Sequence, residues 1–165
     1  MTVTFAVENT LGKLAKWLRI LGFDTLFDSG AGGVDFFRSV SPGRVLLTRT
    51  VRVKKKLRSD RLLFIQSDDF RQQLSEVIRQ LEIQQEDLRP FTRCIECNQI
   101  IESVEKQLVR DRVPDFVYES HEHFQQCGRC GKVFWSGSHA SRVSDCIRQL
   151  FDVAHPRSDQ KAVTV

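Results

Sequence analysis

Residues 44–50 read RVLLTRT and are followed by VRVKKKLRSDR (residues 51–61). Val45, Leu46 and Leu47 form a short apolar run of the kind that builds a buried strand. The chain then turns polar at Thr48, Arg49 and Thr50 and enters a basic segment. In open α/β sheets, ligands gather outside the carboxyl ends of the strands. Whether this strand end belongs to such a sheet depends on what flanks it.

Upstream, VTFAV (3–7) reads as a first strand that ends at Glu8, Asn9 and Thr10. LGKLAKWLRILG follows, with Leu11, Leu14, Ala15, Leu18 and Leu21 on one helical face and Gly22 placed to end the helix. FDTLF (23–27) reads as a second strand, SGAGG (29–33) as a loop, and DFFRSV (35–40) as a short helix before a turn at Pro42 and Gly43. Downstream, residues 51–61 fit no clear element. RLLFIQ (61–66) reads as another strand. Asp68 and Asp69 open a long helix with Phe70, Leu74, Val77, Ile78 and Leu81 on one face, and Asp68 suits its N-cap. The order β-α-β-α-β-(basic)-β-α predicts a mostly parallel sheet flanked by helices. Strand ends at Glu8, near Asp28, at Thr48–Thr50 and at Asp68 would share one rim.

The chain has 165 residues, 41% hydrophobic and 28% charged, which reads as soluble and globular rather than disordered. No apolar run approaches the ~18 residues of a membrane span. The start MTVTFAVEN lacks a basic segment followed by an apolar one. The expectation is a cytoplasmic protein. Net charge is +4, and the excess lies in residues 1–89. Much of it is concentrated in Arg49, Arg52, Lys54, Lys55, Lys56, Arg58 and Arg61. Two readings fit this run: a solvated face, or a patch that contacts RNA phosphates.

After Pro90 the character changes. Cys94, Cys97, Cys127 and Cys130 form two Cys-x-x-Cys pairs, and in a cytosolic chain this spacing points to zinc. Four thiolates close a tetrahedral site and leave no position for water, so such a zinc is structural. Cys146 has no partner at a suitable spacing and reads as a small core residue. The expected organisation is an α/β domain over residues 1–89, a four-cysteine zinc ribbon over 90–150 and a flexible tail over 151–165. His121, His123 and His139 are expected at the surface or beside the cysteines, and a contact of His139 with RNA stays open. Phe134 and Trp135 are either core or surfaces on which unpaired bases stack.

The carboxylates at Glu8, Asp28, Asp35, Asp68 and Asp69 also have two readings. They are helix caps and loop acids, or they hold Mg²⁺ or Mn²⁺ for phosphodiester chemistry.

The stretches FAVENTLGKLAKWLRILGFDTLF, GRVLLTRT, RCIECNQI and CGRCGKVFWSGSH together resemble the Mut-seven C-terminal RNase domain family. The resemblance covers about residues 3 to 150. It implies a PIN-like domain followed by a zinc ribbon, and a metal-dependent ribonuclease that hydrolyses RNA phosphodiesters. The resemblance places catalytic acids at Glu8 and Asp35; Asp68 and Asp69, on the same expected rim, are the further candidates, and the basic run of Arg49, Arg52, Lys54, Lys55, Lys56 and Arg58 is the candidate RNA contact. Members of that family usually carry Asp where this chain has Glu8 and usually read LLTRD where it reads LLTRT, so the resemblance implies that Thr50 stands in place of an acid. The alternative is a non-catalytic RNA-binding module on the same scaffold. PIN proteins also occur with protein partners, as in toxin–antitoxin pairs, so a protein partner stays open.

Overall fold

The structure is a computed structural model that describes residues 3–30 and 32–154. Its first unit alternates strand and helix: β1 (Phe5–Val7), α1 (Gly12–Ile20), β2 (Thr25–Phe27), α2 (Gly33–Ser39), β3 (Val45–Thr48), α3 (Val51–Lys56), β4 (Leu62–Phe64) and α4 (Phe70–Gln80). The strands make one parallel sheet in the order β2-β1-β3-β4. The chain leaves β1 to one side for β2 and returns to the other side for β3. The strand order therefore switches between β1 and β3, at the position where Glu8 directly follows β1 and Thr48 ends β3.

Alternation along the strands sorts the core into two faces. Phe5, Val7, Leu47 and Leu63 pack against Leu14 and Leu18 of α1 and Leu74, Val77 and Ile78 of α4. Ala6 and Leu46 face the other way, toward Phe37 of α2 and Val53 of α3. The first part of the basic segment left open by the sequence, Val51–Lys56, is α3. Its period is set by Val53, which is 4% exposed, and Leu57, while its cations stay in solvent.

One expectation is corrected. The N-cap of α4 is Asp69, not Asp68. The Asp69 carboxylate accepts from the amides of Arg71 at 2.9 Å and Gln72 at 3.2 Å. Asp68, one residue earlier, is free to turn toward Arg49.

The second unit is an antiparallel sheet of β5 (Ile101–Val104), β6 (Phe124–Cys127) and β7 (Val133–Trp135), in that order. A short helix, α5 (Asp115–Ser120), covers it, and Val109, Val113, Val117 and Phe124 form its core. The chain then forms α6 (Ser138–Ala154). This helix returns to the first unit: Val143, Cys146, Ile147 and Leu150 join the core against α4. Cys146 is thus a buried core residue, and its burial raises the thiol pKa. Residues 151–154, counted in the expected tail, are the last turn of α6, and the rest of that tail lies outside the described residues. No helix is long and apolar enough to cross a membrane among the described residues.

The two units share more than a linker. Arg19 on α1 is 8% exposed and uses its whole fork at the junction. Nε and Nη2 donate to the Thr25 carbonyl at 3.0 and 2.9 Å, and Nη1 donates to the carbonyls of Ile95 and Glu96, both at 2.8 Å. Gly22 sits at φ 96°, where a Cβ would run into the backbone carbonyl of Arg89.

Candidate functional site

Glu8 directly follows β1 at the switch point and is 2% exposed. A buried carboxylate has to be hydrogen-bonded. Its Oε1 accepts from Thr10 Oγ1 at 2.6 Å, from the Arg49 amide at 2.6 Å and from Thr50 Oγ1 at 3.2 Å. Its Oε2 accepts from Thr48 Oγ1 at 2.6 Å. Thr48 ends β3 and Thr50 lies just beyond it, so this one carboxylate fastens the ends of the two central strands together. The threonines are the part that composition did not flag. Hydroxyls two residues from Glu8 and at both ends of the Thr-Arg-Thr triplet were the available signal.

Asp28 follows β2 and is also buried. Its carboxylate accepts from the amides of Gly30 at 3.0 Å and Gly33 at 3.1 Å, and so shapes the loop leading into α2. Asp35 stands in the first turn of α2 with its side chain 89% exposed, 3.5 Å from Arg38. A cleft of about 420 Å³ brings Glu8, Asp35 and Thr50 together with Arg38, Arg52 and Lys56. Asp68 and Asp69 do not line it. Asp68 pairs with Arg49, and Asp69 caps α4.

A Mg²⁺ or Mn²⁺ ion needs several oxygen ligands converging on one point. Among the described residues, the four cysteines are the only group of three or more His, Cys, Asp or Glu whose ligand atoms converge. Glu8 already accepts four hydrogen bonds, three of them at Oε1, and Asp35 leans on Arg38. The carboxylates as arranged do not fit such an ion.

The basic residues frame the cleft. Arg52 and Lys56 are one helical turn apart on α3 and both line it. Lys54, Lys55 and Arg58 are exposed beside them, with Lys54 Nζ 4.5 Å from the centre of the Phe64 ring. Arg49 is turned to Asp68.

The four cysteine sulfurs lie within 4.8 Å of one another, with Cys94 and Cys130 Sγ 3.7 Å apart. Tetrahedral zinc with Zn–S bonds of ~2.3 Å spaces its sulfurs by roughly 3.8 Å, so the group could hold a zinc ion. The Cys97 amide donates to Cys94 Sγ at 3.4 Å, as expected of a turn that supports thiolate charge. Shared hydrogen bonding splits the thiols. A hydrogen bond with Cys130, then burial, pushes Cys97 up to about 12, whereas the backbone amide of Lys132 and then Cys97 draw Cys130 down to about 7. Phe134 packs against the cysteine group, while Trp135 is 39% exposed. His121 bonds locally to Ser120, and His123 is exposed. The side chain of His139 lies outside what the structure describes.

The family model described as the Mut7-C RNAse domain matches residues 3–147, which takes in both sheets and most of α6. The chain belongs to the Mut7-C RNAse domain family. No curated protein and no solved structure matches it. Within the Mut7-C frame, RVLLTRT is β3 with its polar end at the switch point, and the cleft lies where ligands of parallel sheets gather.

Proposed function

We propose that this chain is an RNA-binding member of the Mut7-C family. It uses a PIN-like nuclease scaffold to hold an RNA backbone against the cleft and α3 without hydrolysing it. The observation that carries this reading is Glu8. The carboxylate at the switch point is held by three threonine hydroxyls and an amide, and Thr50 stands where the family resemblance implies an acid. Arg52, Lys54, Lys55, Lys56 and Arg58 remain exposed for phosphates, with Arg49 held nearby by Asp68. Phosphate contacts of this kind release counterions, so affinity falls as salt rises. A structural zinc at Cys94, Cys97, Cys127 and Cys130 completes the fold in this reading.

Titration of fluorescently labelled single-stranded RNA across a salt series tests it. The triple variant Lys54→Ala, Lys55→Ala, Lys56→Ala is expected to flatten the log–log salt slope by about 2, at ~0.7 per lost phosphate contact on a single strand. Affinity indifferent to salt and to the three lysines would refute the reading.

Metal-dependent hydrolysis is the second reading. It is favoured by the family match and by Glu8 and Asp35 sharing one cleft. RNA cleavage by the unaltered protein in Mn²⁺, abolished by Glu8→Gln, would establish it in place of the first.

A further inference from the structure

The two cysteine turns are built alike. Each is Cys-x-x-Cys followed by a residue in the left-handed region, Asn98 at φ 65° and Gly131 at φ 73°. Each of these residues donates its amide to the carbonyl of the first cysteine of its turn, Asn98 to Cys94 and Gly131 to Cys127, both at 2.9 Å. The second turn uses glycine, which reaches this backbone without steric cost. The first uses asparagine, which reaches it less readily. Turn geometry alone would accept glycine at both positions, so the asparagine side chain needs its own explanation.

That side chain is spent on the other unit. Asn98 Oδ1 accepts from the Thr25 amide at 2.9 Å, and Nδ2 donates to Asp24 Oδ1 at 2.8 Å. Thr25 opens β2, an outer strand of the parallel sheet. Outer strands leave every other amide and carbonyl without a strand partner. At Thr25 both are taken. The amide goes to Asn98 and the carbonyl to Arg19, which also grips the carbonyls of Ile95 and Glu96 inside the first cysteine turn. Arg93 adds a further tie, donating to the Gly22 carbonyl at 3.0 Å and to the Asn98 carbonyl at 2.8 Å. Just past the far end of the same three-residue strand stands Asp28, whose carboxylate holds Gly30 and Gly33, and Gly33 lines the cleft.

We infer that Asn98 is a positioning residue that couples metal loading of the four-cysteine site to the outer edge of β2 and, through Asp28, to the wall of the cleft. A metal ion held by Cys94 and Cys97 fixes the backbone of their turn, and that backbone aims the Asn98 amide at the sheet edge. Loss of the metal frees the turn, and the cap on Thr25 goes with it. The cleft half of this inference rests on the proposed RNA-binding reading. The edge half does not.

Amide hydrogen exchange on the full chain tests it in three samples: zinc-loaded wild type, wild type stripped of zinc, and zinc-loaded Asn98→Gly, each with its zinc content measured. Glycine keeps the left-handed turn and the cysteine site, and deletes only the reach to β2. Two lost hydrogen bonds at the edge are expected to speed exchange at Thr25–Phe27 by about tenfold. This should occur in both the stripped wild type and the zinc-loaded variant, while β4, the opposite outer strand, keeps its protection. Unchanged β2 protection in zinc-loaded Asn98→Gly would overturn the inference. So would an equal loss on β2 and β4 when zinc is removed from wild type. In parallel, labelled RNA is expected to bind zinc-loaded Asn98→Gly more weakly than wild type. A loosened β2 with unchanged RNA affinity would overturn the cleft half alone. Wild type that binds no RNA would refute the proposed function, and the exchange result would still decide the coupling to the edge.

Discussion

Arg19→Ala is expected to lower the unfolding free energy of the zinc-loaded chain by about 3 kcal/mol, since it orphans three carbonyls in a largely buried junction at ~1–3 kcal/mol each, with water recovering part of the loss. The carbonyls are those of Thr25, Ile95 and Glu96. Burial draws the Arg19 guanidinium pKa down, and the negative groups around it, Cys94 first, push back. Arginine stays charged through this opposition, because its ordinary pKa lies far above neutral. Arg19→Lys is expected to recover less than half of the loss. An ammonium on a flexible stem cannot reach two strand-side bonds and two turn-side bonds from one planar fork. Urea denaturation of the full chain measures both variants. A loss below about 0.5 kcal/mol for Arg19→Ala, the size of an ordinary surface substitution, would show that the junction is not held by this side chain.

The same residue shows what sequence reading reaches and what it misses. The helical spacing of Leu11, Leu14, Ala15, Leu18 and Leu21 exposed the apolar face of α1, but it said nothing of what Arg19, outside that set, would touch. Arg19 is in fact among the buried charged residues, because a segment some 76 positions later folds against it. Nothing local encodes that partner. The parallel sheet was readable because buried strands are short apolar runs and the helices between them are periodic. The four cysteines were readable because their spacing is itself the geometry of the site. Helix α3 was not, since six residues with a single buried valine make too short a period to recognise. The α6 helix was missed for a different reason: its apolar residues look like the end of the cysteine unit until their contacts with α4 are seen. At the cleft, Glu8 and the hydroxyl at Thr50, a position where the family resemblance implies an acid, could be read from the sequence. That the two touch could not be, because residues 42 positions apart meet only once β1 and β3 are paired.

That contact makes Thr50→Asp the most informative single change. The Thr50 hydroxyl lies 3.2 Å from Glu8 Oε1. A carboxylate there faces a like charge at hydrogen-bond distance, an arrangement in which both groups cannot ionise without a cation between them. Thr50 is also the residue before α3, and its side chain makes no capping bond because its hydroxyl is turned to Glu8. Asp is a good N-cap, worth ~1 kcal/mol, so the new carboxylate has a competing place to go. Thr50→Asn supplies the cap without the charge and serves as the control. In zinc-loaded protein free of other divalent ions, the Asp variant is expected to melt below the Asn variant, because each pKa unit of like-charge repulsion costs about 1.4 kcal/mol. Mn²⁺ should reverse that order, by about 2.7 kcal/mol at one hundred times its dissociation constant, and leave wild type and Thr50→Asn unmoved. RNA cleavage should appear in the Asp variant under the same conditions and in neither of the others. If Mn²⁺ stabilises wild type as much as Thr50→Asp, then the four bonds to Glu8 yield to metal without a second acid, and the non-hydrolytic reading falls. If only the Asp variant responds, a single side chain separates a cleft that holds RNA from one that can cut it.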